Sequence, residues 1–182
     1  MTIETLARQG QTEIHGSMAT SILNRAGEIR KANLRQCFRD FRDIGHRLEE
    51  VANVHGIPYI NDSRSTNVNS TWFALESMIR PVIWITGGAD GRNDYSSLAG
   101  LVSEKVKAII CLGSENDTVL SAFRHLDKTF MEAHSMDEAV ELAYILGKKG
   151  DVVLLSPACA SFDLYRDFEE RGNAFRKAVR NL

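Results

Sequence analysis

The sequence predicts an α/β fold: a Rossmann-like, mostly parallel sheet with helices on both faces, preceded by a short helical segment. Three observations carry that expectation. Short, fully apolar, β-branched runs recur along the chain, as in Val82 to Thr86, Val106 to Leu112 and Val152 to Leu155. Each run is followed by a stretch whose apolar residues return at helical spacing. The junctions between them are rich in Gly, Ser, Asn and Asp, the residues that make strand-to-helix turns. Strands that are apolar on both faces and alternate with amphipathic helices belong in a sheet covered on either side.

In chain order, residues 16–41 carry helical spacing, with Met18, Ile22, Leu23 and Ala26 on one face and Leu34, Cys37, Phe38 and Phe41 on another. Gly27 and Lys31 fall between them, so two short helices joined by a turn are expected, with a domain boundary near residues 42–46. Leu48 to Ala52, then Gly56, then Ile57 to Ile60 read as an antiparallel-like strand pair or as a strand with a tight turn. Ile57 to Ile60 precedes a helix at about 66–79, and Val82 to Thr86 precedes one at about 95–104. Val106 to Leu112 precedes a helix at about 115–125, Phe130 to Ala133 one at about 136–148, and Val152 to Leu155 the last, reaching about 180 through Phe168 and Phe175.

Open sheets of this kind bind ligands at the carboxyl ends of their strands. That rule selects three turns: Asn61 to Asn67, Gly87 to Asp94, and Ser156-Pro157-Ala158-Cys159-Ala160-Ser161-Phe162-Asp163. Each combines hydroxyls or glycine N–H groups with charge, the inventory that fixes a polar small molecule. The third follows a strand directly, so a helix N-terminus is expected there, with unpaired N–H groups and a positive dipole end able to hold a carboxylate or phosphate. Asn61-Asp62-Ser63 equally suits a plain turn and cap, Gly87-Gly88 a tight turn, and Arg64 and Arg92 either a solvated surface or a bidentate grip on a carboxylate.

Composition narrows the function. The 22 basic and 24 acidic residues leave a formal charge of −2, which does not suit a nucleic-acid surface or a polybasic membrane contact. No apolar stretch approaches the ~20 residues of a membrane span and no signal pattern opens the chain, so a cytoplasmic protein is expected. Cys37, Cys111 and Cys159 are scattered and have no metal-ligand spacing; Cys111 reads as core, and Cys159 as packing within the third turn. His15, His55, His125 and His134 share no spacing. There is no Ser-His-Asp order, no His-Glu-x-x-His and no complete phosphate loop. The residues alone lead to an anion-binding α/β domain with no catalytic or metal residue assigned.

Taken together, four elements go further. His46-Arg47-Leu48-Glu49, the Asn-Asp-Ser-Arg-Ser-Thr-Asn turn, the Gly-Gly turn with Asn93-Asp94-Tyr95, and Ser156 to Phe168 followed by Glu169-Glu170-Arg171-Gly172 resemble, in order and spacing, the C-terminal part of the Mur ligases, in their D-glutamate-adding branch. The resemblance runs from about residue 44 to the end. Residues 1–43 resemble the closing helices of the family's central ATPase domain, and residues 44–182 its C-terminal domain. It implies an ATP- and Mg²⁺-dependent ligase acting on UDP-N-acetylmuramoyl-L-alanine through an acyl phosphate that D-glutamate attacks, in peptidoglycan synthesis. The C-terminal domain positions substrate and, without its partner domains, is expected to be inactive and to bind no cofactor tightly. By this resemblance Arg64, Thr66, Arg92, Ser161 and Phe168 serve D-glutamate, while Arg47 faces the phosphate side of ATP or ADP and Asp62 its ribose. Three positions depart from the family pattern: Arg64 and Arg92 stand where Lys is usual, and Thr12-Glu13 where His-Asn is usual. A diverged, non-catalytic anion or nucleotide binding module is the alternative expectation.

Overall fold

The computed structural model describes residues 45–87, 93–114 and 116–182. The chain divides into two units after Asp43, and the described residues all belong to the second. The helices expected over 16–41, Cys37, the Thr12-Glu13 position and Arg92 lie outside the described residues.

Six strands form one sheet: β1 (Glu49–Val54), β2 (Ile57–Asn61), β3 (Val82–Thr86), β4 (Val106–Leu112), β5 (Thr129–Ala133) and β6 (Val152–Leu155). Their order across the sheet is β1-β2-β6-β3-β4-β5. Only the β1–β2 pair is antiparallel. That hairpin closes at His55 and Gly56, both at positive φ (51° and 86°), as a two-residue turn matching strand twist requires.

Among the described residues, five helices cover the sheet: α1 (Val68–Ser77), α2 (Ala99–Lys105), α3 (Asp117–Phe123), α4 (Met136–Leu146) and α5 (Phe168–Arg180). The central strands are buried along their whole length and divide their side chains between two cores. Ile83 and Ile85 of β3, Val153 and Leu155 of β6, and Ala108 and Ile110 of β4 pack with Met136, Val140, Phe175 and Val179 from α4 and α5. Trp84, Leu154, Ile109 and Cys111 face the other way, against Leu75, Leu101, Val102, Val119 and Phe123 from α1, α2 and α3. This two-sided burial is why the strands read as unbroken apolar runs. Cys111 is the core residue expected of it, and burial pushes its thiol up to about 12.

Local chemistry sets the helix starts. Asn67, Ser135 and Asp167 lie in extended conformation, and each accepts a hydrogen bond from the backbone N–H three residues on, capping α1, α4 and α5. The helix expected near 95 opens as a 3-10 turn, Ser96–Leu98, before α2. The larger difference lies after β6. No helix begins at the Ser-Pro-Ala-Cys turn; α5 starts only at Phe168, twelve positions beyond Ser156. Pro157 interrupts the strand and Ala158 takes φ 62°, a left-handed conformation that neither strand nor helix continues through. The dipole expected beneath the third turn is therefore absent from it, and the true start of α5 already carries Asp167, Glu169 and Glu170. No helix among the described residues is long and apolar enough to cross a membrane.

Candidate functional site

Strands β2 and β6 are parallel neighbours, paired from Tyr59 with Val153 to Asn61 with Leu155. Their carboxyl ends therefore release the 61–67 and 156–167 segments side by side. Pairing continues past the strands, with Asp62 N–H donating to Leu155 O (2.8 Å) and Ala158 N–H to Ser65 O (3.1 Å). The carbonyls of the second segment are taken one after another. Ser156 O accepts from Trp84 Nε1 (2.8 Å), Pro157 O from Thr86 Oγ1 (2.9 Å), and Ala158 O from Asn93 Nδ2 (2.9 Å). The second selected turn, Gly87 to Asp94, thus contributes through Asn93, which braces the ligand edge by holding Ala158 in its left-handed conformation.

The carbonyls of Cys159 and Ala160 are held by Arg171 of α5. This side chain is only 2% exposed, and its planar fork spans both segments. Nη1 donates to Cys159 O (3.2 Å) and Ala160 O (3.1 Å), Nη2 to Ser63 O (2.9 Å) and Cys159 O (3.2 Å), and Nε to Ser63 Oγ (3.0 Å). Ser63 Oγ in turn donates a hydrogen bond to Phe168 O at 2.7 Å, closing the circuit back to α5. Burial lowers the guanidinium's pKa, opposed by the neighbouring Cys159, Asp163 and Tyr165. The Cys159 thiol, 4.0 Å from Nη1, donates to Gly87 O at 2.6 Å. It is buried within the turn, as its packing role required.

Four of the expected D-glutamate contacts occupy this edge. Arg64 is exposed and lays its guanidinium carbon 5.2 Å from the centre of the half-buried Phe168 ring, a cation–π contact that joins the two segments. Thr66 is exposed beside it, its N–H on Arg64 O (2.9 Å). Ser161 is 2% exposed, and its carbonyl accepts from Tyr165 N–H (2.9 Å). Beyond the saturated carbonyls, the N–H groups of Ala160, Ser161 and Phe162 donate to no other backbone group among the described residues. The edge therefore brings an exposed cation, stacked on an aromatic ring, together with N–H groups that have no backbone acceptor. Such a surface suits a small carboxylate with a short aliphatic stem.

Asp62, expected at the ribose, is built into the fold. It is 2% exposed, and its oxygens accept from Ser65 Oγ (2.5 Å), Ser156 Oγ (2.8 Å) and Leu48 N–H (3.3 Å). Burial pushes the carboxyl up to about 6, against those bonds and the neighbouring charge of Arg47. Contact with a ribose hydroxyl would require one of these internal bonds to be released, so its observed work is to tie the two segments to the entry of β1. Arg47 is half-buried beside it.

Arg171 itself escaped the reading of individual residues, although a signal was present. In α5 the apolar stripe runs from the half-buried Phe168 through the buried Phe175 and Val179 at helical spacing, and Arg171 and Gly172 occupy the i+3 and i+4 positions after Phe168. An Arg on an apolar stripe is unusual enough to predict a buried role. Asn61, by contrast, gave no sign of the junction described further below.

With this geometry in place, three comparisons bear on it. The family model described as Mur ligase, glutamate ligase domain, matches residues 46–159. The UDP-N-acetylmuramoylalanine--D-glutamate ligase of Christiangramia forsetii is 50% identical over 182 residues, covering 100% of this chain and 41% of that protein. The protein of the same name from Porphyromonas gingivalis (strain ATCC 33277) is 50% identical over 179 residues, 98% of this chain and 40% of its own length. The chain thus spans about two-fifths of the length of these relatives. Among solved structures, a murein peptide ligase from Psychrobacter arcticus superposes with a TM-score of 0.54 at 14% identity, over 76% of this chain and 30% of that one. A bifunctional folylpolyglutamate synthase/dihydrofolate synthase from Yersinia pestis gives 0.52 at 15% identity, over 77% and 32%. Both carry the same α/β fold.

Proposed function

The chain belongs to the Mur ligase family through its glutamate ligase domain, and from that premise we propose that it is the substrate-positioning part of an ATP-dependent ligase that joins D-glutamate to UDP-N-acetylmuramoyl-L-alanine. The observation that carries this reading is the paired edge at the ends of β2 and β6. There Arg64, Thr66, Ser161 and Phe168 come together on two segments riveted by Arg171. In this reading the N–H groups of residues 160–162 and the hydroxyls of Thr66 and Ser161 receive the carboxylates, Arg64 supplies charge, and the Phe168 ring lines the aliphatic stem. Holding the amine of D-glutamate in a fixed place is the domain's contribution to rate, since positioning alone is worth several kcal/mol in bimolecular steps. Arg92 is proposed for the same ligand on its motif alone.

Arg47 would lie on the phosphate side of ATP. The described residues contain no group of three His, Cys, Asp or Glu side chains able to hold a metal ion. Mg²⁺ and the nucleotide phosphates are assigned to the ATPase domain that precedes this one. We assign residues 1–43 to the end of the preceding ATPase domain, and the whole to a cytoplasmic enzyme of peptidoglycan synthesis.

A chimera tests this. In it, the matching two-fifths of the Christiangramia forsetii ligase is replaced by this chain, and phosphate release is followed with UDP-N-acetylmuramoyl-L-alanine, ATP and D-glutamate. D-glutamate-dependent turnover is expected, and Arg64→Ala should raise the KM for D-glutamate far more than that for ATP. A folded chimera with no turnover, or equal losses for both substrates, contradicts the reading.

A further inference from the structure

His46 is 8% exposed and lies just after the division between the chain's two units, yet it reaches three elements of the ligand edge. Its carbonyl accepts from Arg64 N–H (3.1 Å), and its own N–H donates to Glu49 Oε2 (3.0 Å). Its ring nitrogen Nδ1 is 3.0 Å from Asn61 Nδ2, and the ring stands edge-on to Phe168 with centroids 6.3 Å apart. A Cβ built on Gly172 would fall 2.1 Å from the same Nδ1, so the imidazole occupies the space that glycine leaves on α5. Both His46 and Leu48 take positive φ, 63° and 43°, conformations that a chain adopts only where its surroundings hold it there.

The network fixes the ring's protonation. Asn61 Oδ1 accepts from Ser63 N–H (3.2 Å), while Nδ2 faces three acceptors: His46 Nδ1, Glu49 Oε2 (3.3 Å) and Gly172 O (3.3 Å). Turning the amide over would set oxygen against two oxygens, so Nδ2 is the donor, and its 3.0 Å contact favours a bare His46 Nδ1 with the proton on Nε2. Arg176 Nη1, itself only a donor, lies 3.5 Å from Nε2, too long a contact to outweigh that of Asn61, and its charge disfavours a positive ring.

We propose that His46 is a positioning residue for the amino-acid-binding turn. Its neutral ring, seated on Gly172, holds Asn61 and Arg64 so that the 61–66 segment stays in register with α5 and the 159–161 segment. The inference rests on the ligand reading given above. Among the described residues, the charged groups facing the ring are Glu49 from β1, Arg176 and Glu169 from α5, and Arg64 from the turn. Burial, then Arg176, lowers the pKa of His46, Glu49 and Glu169 oppose, and Arg64 adds to the lowering. Protonation would replace the acceptor at Nδ1 by a donor facing Asn61 Nδ2. The turn should therefore loosen as pH falls below the ordinary histidine range.

Two arms test this. In the 182-residue chain, ring nitrogen NMR at neutral pH should report the Nε2–H tautomer of His46. Lowering the pH through its titration should shift the amides of residues 61–66 in step with the ring. In the chimera, His46→Ala should raise the KM for D-glutamate about tenfold, the usual cost of leaving a buried amide donor unmade, with kcat and the KM for ATP changed less than about twofold. His46→Asn, which can offer an acceptor, should recover part of that loss. Gly172→Ala should reproduce the defect, and adding it to His46→Ala should cost nothing further, because the clashing ring is gone. Thermal midpoints separate a folding defect from a positioning one.

An Nδ1–H tautomer, amides indifferent to the ring's titration, or an unchanged KM in a folded His46→Ala chimera would each overturn the inference. An unmutated chimera that never uses D-glutamate instead overturns the ligand reading, while the tautomer and amide shifts still decide whether His46 holds the turn.

Discussion

Replacing Arg171 is the most demanding perturbation of this account, because one side chain supplies every donor that the carbonyls of Ser63, Cys159 and Ala160 receive from α5. In Arg171→Met the stem is kept, and three buried carbonyls lose their donor at about 1–3 kcal/mol each. Against this, the variant no longer buries a charge, which returns several kcal/mol, since no carboxylate among the described residues lies within ion-pair distance of Arg171. The net loss expected is about 3–4 kcal/mol, a large fraction of the ~5–15 kcal/mol that holds a domain of this size together. Arg171→Lys keeps the charge and stem but replaces a planar fork by a point donor that reaches two of the three carbonyls, so a loss of about 2 kcal/mol is expected. Urea unfolding of the three proteins gives the values through their midpoints at constant slope. A Met variant within about 1 kcal/mol of the parent would refute the reasoning. It would mean that the two segments hold their shape without the guanidinium.

Three further outcomes follow from the same geometry. The folded-state pKa of Asp62 is raised to about 6 from 3.8, so its contribution to stability is fully present below pH 3.8 and is lost as pH rises through 6. Relative to Asp62→Asn, the parent should therefore lose stability by up to about 3 kcal/mol between pH 4 and 7, and a flat difference across that range would show the carboxyl to be unperturbed. Glu49 runs the other way. Burial pushes its carboxyl up, but bonds from Arg176 and the His46 N–H together hold it below its ordinary value. Glu49→Gln should thus cost stability at neutral pH, and the gap should close as pH falls below about 4. Gly87 sits at φ 113°, where an added Cβ would lie 2.7 Å from Leu112 O, so Gly87→Ala should lower the unfolding free energy by about 3 kcal/mol; a change under about 0.5 kcal/mol would contradict it.

How far the sequence reaches can be argued from particular residues. The strands were legible because burial on both faces leaves an apolar run with no competing pattern, and Val82 to Thr86 and Val152 to Leu155 fall on the expected positions. The 61–67 and 156–162 segments were found by their place at strand ends. The start of the last helix was misplaced, because small residues after Pro157 are compatible with either a helix or a long loop. What decides is a left-handed Ala158 held by Asn93, a partner 65 positions away. Asp62 is expected at the ribose only through the family resemblance, while its residue type alone suits a turn and cap. Its burial depends on Ser156, 94 positions distant, and no local pattern reports that. Arg171 was legible as an anomaly on an apolar stripe, but its partners were not.

The central claim is that the edge between β2 and β6 receives D-glutamate. The most direct measurement is a titration of the isotopically labelled chain with D-glutamate, and separately with L-glutamate, following backbone amide resonances. The account predicts saturable shifts clustered at Arg64, Thr66, Ala160 to Phe162 and Phe168 with the D-enantiomer, and weaker ones with the L-enantiomer. Saturable shifts confined elsewhere, such as the groove of about 420 Å³ lined by Asn93, Tyr95, Thr118 and His125, or equal response to both enantiomers, would contradict it.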